Sequence, residues 1–143
     1  PDRQDTKGNT ACNWAAMRGQ TEVVKTLYDK GADLNITNHD DVSPLLYAVA
    51  ADNQPLVNFL LKHGANPNVE SRSNKMTTLL LAIEQNNLKM LDLLLSAGTD
   101  ANQSNRDGLT PLMAAQAKHQ QEAIMLLQKY GAVSHSRSVG DPD

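Results

Sequence analysis

The chain has 143 residues and a formal net charge of −3, and its acidic and basic side chains are interspersed along the sequence. This balance lacks the basic footprint that attracts nucleic acid or an anionic membrane, and no apolar run approaches the roughly 20 residues of a membrane helix. Hydrophobic residues make up 40% of the chain but include only one Trp, one Phe and three Tyr, so the core must be largely aliphatic.

A sequence motif that begins at Thr10 recurs along the chain. Its first copy, at 10–35, holds two short helical patterns joined by a turn that contains glycine, and it ends in a second glycine and a polar exit. The glycines that follow the second helical pattern stand 33, 34 and 33 residues apart, at Gly31, Gly64, Gly98 and Gly131. A fixed period of this size predicts a stacked array of four repeats.

Each copy opens with the signals of a helix start. A hydroxyl residue, which can cap the free amides of the helix that follows, stands at Thr10, Ser43, Thr77 and Thr110. Pro44 and Pro111 come next, at the first helical position, where a missing amide hydrogen costs nothing. We therefore predict a short first helix directly after each hydroxyl residue.

The second helical pattern of the first three copies has apolar residues at positions i, i+1, i+4 and i+5, as in Val23, Val24, Leu27 and Tyr28. This spacing predicts one buried stripe per helix. A small residue recurs in the first helix, as expected where two helices cross closely, at Ala15, Ala48, Ala82 and Ala115. Helices of about ten residues are too short to be stable alone, so stacking on neighbours must supply the stability.

These residues resemble those of the ankyrin repeat family, whose consensus motif is nearly complete in the first and fourth copies. In the first copy the matching residues are Asp5, Gly8, Thr10, Ala15, Ala16, Gly19, Gly31, Ala32 and Asp33. In the fourth copy they are Asp107, Gly108, Thr110, Pro111, Leu112, Gly131 and Ala132. The resemblance covers residues 5–133, in repeats at about 5–37, 38–70, 71–104 and 105–133. Residues 1–4 are a lead-in, and the small, polar tail at 134–143 is predicted to be disordered.

The resemblance implies an all-α solenoid of four helix-turn-helix repeats, with connectors that form β-hairpin fingers at a right angle to the helices. Two glycine positions are filled by other residues in some repeats. Asp41 and Lys75 stand at the first, in the fingers, and Asp52, Asn86 and His119 stand at the second, between the helices. We expect looser or slightly strained turns at these places without a change of fold.

The two ends of the array differ. In repeat 4, Gln116 and Gln128 replace apolar residues of the earlier repeats, which predicts a polar C-terminal cap. In repeat 1, Trp14 and Val23 stay apolar, and the resemblance places their positions toward a preceding repeat. Either the first repeat serves as a cap or a preceding repeat or flanking segment covers it.

The resemblance also implies a concave surface, lined by the fingers and the first helices, that usually binds another protein. The candidate partner-binding residues on this surface are Trp14, Arg18, Val42, Tyr47, Met76, Glu84 and Leu109. Val42, Met76 and Leu109 occupy one equivalent position and predict an apolar strip flanked by charges, an arrangement suited to protein binding. The alternative is that these three side chains fold back under the fingers.

Two asparagines are candidate sites of modification. Ankyrin fingers resemble the substrates of an asparaginyl hydroxylase, which selects an Asn at the repeat exit with a Leu eight residues before it. Asn35 with Leu27, and Asn102 with Leu94, match this pattern. The alternative is that both asparagines serve only to shape the exit turns.

Residues that could carry chemistry are scattered. His39, His63, His119 and His135 have no Cys or His partner at metal-ligand spacing, and no Gly-rich phosphate loop is present. Cys12 is the single cysteine, which excludes an intrachain disulfide and fits a reducing compartment; we expect it to be a buried small hydrophobe. The adjacent Asp40 and Asp41 are predicted to form a solvated finger tip rather than a metal site.

Two functions remain open at this point. The first is a non-catalytic, monomeric interaction module that binds a partner protein or peptide on the concave surface, with no cofactor, nucleic acid or membrane. The second is a regulatory or substrate-docking ankyrin domain excised from a larger multidomain enzyme, for which the start at Pro1 rather than Met is an argument. For both we expect an intracellular, cytoplasmic location, with the nucleus as the other compartment.

Overall fold

Residues 2–133 are described by a computed structural model, and they form eight α-helices in four pairs. The bounds are α1 (Ala11–Met17), α2 (Thr21–Asp29), α3 (Pro44–Ala50), α4 (Gln54–Lys62), α5 (Thr78–Glu84), α6 (Leu88–Ser96), α7 (Pro111–Ala117) and α8 (Gln121–Lys129). First helices have seven residues and second helices nine, so each depends on its neighbours. The tail predicted to be disordered, at 134–143, lies outside the described residues.

Every first helix begins at the predicted hydroxyl residue. The side-chain oxygen of Thr10, Ser43, Thr77 or Thr110 accepts a hydrogen bond from the amide three residues later, at 3.1–3.2 Å. Each such cap satisfies one of the free amides at the helix start and contributes about 1 kcal/mol to stability. The helix starts predicted from the sequence are therefore confirmed.

The four pairs stack in chain order, α1 against α3, α3 against α5 and α5 against α7, with α6 against α8 in the second layer. The recurring alanines are buried between the first helices, as Ala15 shows at 3% exposed and Ala48 at 0%. Leu60 and Leu94, in the second helices, are completely buried. One aliphatic core runs through all four repeats from Cys12 to Ala132, which confirms the predicted solenoid.

The buried stripe predicted for the first repeat is only partly correct. Val24 is fully buried, but Val23 is 44% exposed and Tyr28 is 36% exposed. The residues equivalent to Val23 in the later repeats, Leu56 and Met90, are completely buried. In those repeats the preceding repeat covers the position, whereas nothing within residues 2–133 covers it in the first.

The fingers are tight turns at 5–9, 38–42, 71–76 and 105–109, each closed by one backbone hydrogen bond of 2.9–3.0 Å across its base. Among the residues described, strand pairing is limited to one antiparallel bridge between Glu70 and Thr77, so the fingers lack regular β-strands. The step from Gly64 to Gly98 is one residue longer than the other two, and the additional residue lies inside the third finger, because Ser71 bonds to Met76 five positions on while the other fingers span four.

The non-glycine residues at the two family glycine positions take the same left-handed backbone conformation that glycine does. Asp41 and Lys75 have φ of 59° and 55°, and Asp52, Asn86 and His119 have φ of 53°, 52° and 56°. This conformation costs an L-residue roughly 1–2 kcal/mol, so the turns are strained rather than rebuilt. The fold is unchanged, as expected.

The ends of the described region carry different surfaces. Gln116 and Gln128 of repeat 4 are exposed, as the predicted polar cap requires, and Met125 of α8 is exposed as well. At the other end, the lead-in packs on the first repeat, because Gln4 Nε2 donates to the carbonyl oxygens of Gly8 and Thr37, at 2.7 and 3.2 Å. No helix within residues 2–133 combines the length and apolar character needed to cross a bilayer.

Candidate binding surface

Tyr47 stands between two depressions on the finger side of the stack. The N-terminal cavity, about 520 Å³ in volume, lies between the first two fingers and has Trp14, Met17 and Tyr47 as walls. The apolar groove, about 160 Å³, lies one repeat further on and is lined chiefly by Val42, Leu46, Tyr47, Ala50, Met76 and Leu81. The Tyr47 side chain therefore belongs to both depressions.

A buried asparagine orients Tyr47 and the second finger. Asn38 Nδ2 donates to the Tyr47 hydroxyl at 2.9 Å and to Asn9 Oδ1 at 3.0 Å, and Asn38 Oδ1 accepts from the amides of Asp40 and Val42. Burial raises the pKa of Tyr47 above its ordinary value, although the hydrogen bond with Asn38 opposes the shift. The Tyr47 hydroxyl is therefore protonated at neutral pH.

Trp14 is fixed in the N-terminal cavity by a carboxylate. Its indole Nε1 donates to Asp5 Oδ2 at 2.8 Å, and the Arg18 guanidinium lies 5.0 Å from the centre of the indole ring. Asp5 Oδ1 also accepts from the amides of Lys7 and Asn9, each at 2.9 Å. The Asn9 amide first, and then the Trp14 indole, hold the pKa of Asp5 below its ordinary value.

The structure places the three residues of the predicted apolar strip at one equivalent position, and all three are half-buried. Val42 and Met76 line the apolar groove beside Tyr47, but Leu109 is not part of its lining. Met76 and Leu109 pack partly against the core while keeping one side open. The exposed apolar strip and the side chains folded under the fingers are thus both present in part, because the same side chains support the fingers and face solvent.

The two charged candidates, Arg18 and Glu84, already have partners within the chain. Arg18 lies over Trp14, as described above, and Glu84 forms an ion pair with Lys118 at 3.4 Å. The side chains of Glu84 and Lys118 are 59% and 40% exposed, and a surface pair of this kind contributes at most about 1 kcal/mol. A partner could exchange this pair for its own charge at little cost.

Contacts between neighbouring fingers were not foreseen from the sequence. The Asp40 carboxylate accepts from both the amide and the hydroxyl of Ser73 at 2.8 Å. Arg72 pairs with Asp41 at 3.2 Å, so the two adjacent aspartates join fingers instead of forming a free, solvated tip. No group of three or more His, Cys, Asp or Glu side chains within residues 2–133 could hold a metal ion.

The two asparagines considered for hydroxylation bridge consecutive exit loops. Asn35 Nδ2 donates to the carbonyl of Gly64 at 3.1 Å, and its Oδ1 accepts from the Asn66 amide at 2.7 Å. Asn102 makes the equivalent pair of bonds with Gly131, at 3.1 Å, and Val133, at 2.9 Å. Both ends of each carboxamide are therefore occupied by the next repeat.

Cys12 has the environment of a structural residue. The side chain is 1% exposed, and burial, assisted by the negative charges of Asp2 and Asp33, raises the pKa of the thiol to about 11. At neutral pH it is a protonated, buried thiol, which confirms the expected role as a small hydrophobe and gives it little nucleophilic character.

Four stacked helix pairs with tight fingers define a helical-repeat protein whose finger side carries half-exposed apolar side chains. A family model described as "Ankyrin repeats (3 copies)" matches residues 1–71 and again 68–138, so the chain belongs to the ankyrin repeat family. Ankyrin repeats are generally protein–protein interaction modules.

Individual relatives are similar over most of the chain. Ankyrin repeat protein FPV031 of fowlpox virus (strain NVSL) is 38% identical over 103 residues, which cover 71% of this chain and 30% of the viral protein. The probable 26S proteasome regulatory subunit p28 of Saccharomyces cerevisiae is 35% identical over 134 residues, 92% of this chain and 59% of the yeast protein. Human neurogenic locus notch homolog protein 2 is 33% identical over 129 residues, 90% of this chain but 5% of its own length. The chain thus spans less than two thirds of each of these relatives.

Proposed function

We propose that the chain is a non-catalytic interaction module that binds a partner protein or peptide on its finger side. The observation that carries the proposal is the pair of depressions joined at Tyr47, because they offer adjacent, pre-formed sites for side chains of a partner. Trp14 and Tyr47 are the aromatic residues there, and aromatic anchors are enriched among the residues that dominate binding energy.

Charge and position support the same surface. Arg18 and Glu84 lie at the ends of the first helices of repeats 1 and 3, where their charges could orient a partner. Leu109, in the finger of repeat 4, extends the apolar character beyond repeat 3. We infer a monomer with another protein as its partner, and the single buried Cys12 supports a reducing compartment such as the cytoplasm.

A second candidate is a regulatory or docking domain within a longer protein. It is favoured by one comparison: human neurogenic locus notch homolog protein 2 contains a similar segment that occupies only 5% of its length. The full reading frame that encodes this chain separates the two candidates. A catalytic sequence in the same frame favours the second, and a frame with nothing but repeats favours the first.

The proposed surface is tested by Met76→Glu, measured by calorimetry against a partner isolated with the wild-type chain. A buried carboxylate in the apolar groove should weaken binding at least about tenfold, because burying an uncompensated charge costs several kcal/mol. Met76 also packs on the core, so Val42→Glu is a second variant whose side chain lines the groove with less effect on folding. Thermal melts accompany both.

Lys89→Glu is the matched control. Lys89 is exposed in α6, among the outer helices, and the substitution introduces the same side chain far from the fingers. We expect unchanged affinity and an unchanged thermal midpoint. If Lys89→Glu weakens binding while Val42→Glu and Met76→Glu do not, the partner binds the outer helices and the finger-side assignment is wrong.

A further inference from the structure

The two depressions on either side of Tyr47 differ in chemistry, and the difference indicates what kind of protein segment fills them. Six of the nine residues that line the N-terminal cavity have polar side chains, although more than half of its lining surface is apolar, whereas the groove is lined mainly by aliphatic side chains. Since Tyr47 belongs to both, one short extended segment could place neighbouring side chains on its two sides.

The N-terminal cavity has hydrogen-bond donors with no acceptor among residues 2–133. Asn9 is 4% exposed, and its Oδ1 accepts from Asn38, but no residue in 2–133 accepts from its Nδ2. The Tyr47 hydroxyl accepts from Asn38, which leaves its own proton free to donate. The ammonium of Lys7 forms no ion pair or hydrogen bond within the described part of the chain.

Asp40 lines the same cavity and Asp5 lies beside it, and their negative charges add to burial in raising the pKa of Tyr47, but the oxygens of both carboxylates accept hydrogen bonds within the chain. Asp5 accepts three hydrogen bonds, from the amides of Lys7 and Asn9 and from the Trp14 indole. Asp40 accepts the amide and the hydroxyl of Ser73. Thr6 and His39 can both donate and accept, so the balance of free groups favours an incoming acceptor. Arg18, beside Trp14, adds positive charge at the rim.

The apolar groove has the opposite requirement. Val42, Met76 and Leu81 present aliphatic surface, with Ser71 and Asn74 as its polar wall. The hydroxyl of Ser71 is engaged within its own finger, where it donates to Asn74 Oδ1 and accepts from the Met76 amide. A volume of about 160 Å³ suits one aliphatic side chain, and removing such a group from water favours binding.

We propose that the finger side recognises an extended protein segment in which an acidic residue lies close along the chain to an aliphatic one. The carboxylate occupies the N-terminal cavity, where it accepts from Tyr47, Asn9 and Lys7, and the aliphatic side chain fills the groove between Val42 and Met76. This assignment rests on the proposed function and adds the chemical class of the partner.

Short synthetic peptides test the assignment directly. The probes are acetylated, amidated hexapeptides with Glu and Leu separated by one, two or three glycines, and matched peptides with Gln or Lys for Glu, or Ala for Leu. Trp14 is the only tryptophan of the chain and lines the cavity, so its fluorescence and its indole NMR signal report binding. Because a hydrogen bond to a charged group contributes about 1.5–3 kcal/mol, Gln for Glu should weaken binding at least about tenfold.

Two variants identify the groups involved. Tyr47→Phe removes only the hydroxyl and should weaken the Glu-Leu peptide by about tenfold while leaving the Lys-Leu peptide unchanged. Lys7 is exposed, so Lys7→Glu should weaken the Glu-Leu peptide at least as much without disturbing the fold, and its reversed charge should strengthen the Lys-Leu peptide. Lys89→Glu in α6 makes the same change of charge away from the cavity and should have no effect. Melts of each variant verify folding.

The outcomes separate this inference from the proposed function. If the Lys-Leu peptide binds more tightly than the Glu-Leu peptide, and Val42→Glu abolishes its binding, the acidic assignment is wrong and the finger-side surface stands. If peptides bind but neither Tyr47→Phe nor Val42→Glu matters, both proposals are wrong. The acidic–aliphatic segment is also wrong if N-acetylglutamate amide binds as tightly as the peptide, or if no peptide binds at millimolar concentration. In either case the finger-side surface is still tested by the calorimetry of Val42→Glu and Met76→Glu.

Discussion

Asn35 in the first exit loop donates from its Nδ2 to the carbonyl oxygen of Gly64 in the second, at 3.1 Å. Its Oδ1 accepts from the Asn66 amide, so one side chain joins two repeats by both ends of its carboxamide. Asn102 repeats the arrangement with Gly131 and Val133. In an array where each repeat contacts only its neighbours, such bridges contribute to the coupling between repeats.

Asn35→Ala should lower the free energy of unfolding by about 1–2 kcal/mol, because two partly exposed hydrogen bonds between repeats are lost. Urea titration followed by circular dichroism measures the change. Asn58→Ala, at an exposed position of α4, is the control and should be neutral or slightly stabilising, because alanine is the better helix former. If the two substitutions have equal effects, the Asn35 bridge does not contribute to stability.

We expect an asparaginyl hydroxylase to add one oxygen atom to Asn35 and to Asn102, as mass spectrometry of the intact protein and its peptides would show. Because both ends of each carboxamide are hydrogen-bonded, the exit loop must open first. Modification should therefore be slow in the wild-type chain and faster in the destabilised Leu60→Ala variant. Asn68, which follows Pro67 and matches the pattern less well, serves as the internal control in the wild-type chain only, because Leu60→Ala also removes the Leu eight residues before it. Unmodified Asn35 and Asn102 in Leu60→Ala would dismiss the idea.

Leu60→Ala and Leu94→Ala should each lower the free energy of unfolding by about 2–5 kcal/mol, through lost burial and the cavity left behind. Both side chains are completely buried in the second helices. Met125→Ala, at a position 67% exposed in α8, removes a side chain of similar size and should cost little. Urea melts of the three variants provide the comparison, and losses below about half a kcal/mol for either leucine would contradict the core assignment.

Thr99→Val should stabilise the protein by about 1 kcal/mol, because the hydroxyl is buried without a partner and valine has the same shape. Thr99 is 5% exposed and its Oγ1 has no hydrogen bond within residues 2–133. The same substitution at Thr77 removes the cap of α5 and should destabilise by about 1 kcal/mol. Thermal melts that shift in the same direction for both variants would show that the unpaired hydroxyl is not the cause.

Much of the fold could be predicted from the sequence because its determinants are local. The cap at Thr10 bonds to an amide three residues away, and the helix that follows is seven residues long. The repeat period, the aliphatic core and the buried state of Cys12 follow from the same short-range pattern, since each repeat contains the residues that decide them. Of the candidate site, the sequence predicted that Trp14 and Tyr47 lie on one side, and both line the N-terminal cavity.

Only the tertiary structure decided which groups meet across repeats. Asp40 binds Ser73, which is 33 residues away, and Asn38 binds Asn9, which is 29 residues away, and no local pattern encodes either pair. Val23 has the same sequence signal as Leu56, yet one is exposed and the other buried, because burial depends on the repeat that packs alongside. The sequence determines each repeat, but the rise and rotation between repeats set which donors stay free and which apolar side chains share the groove.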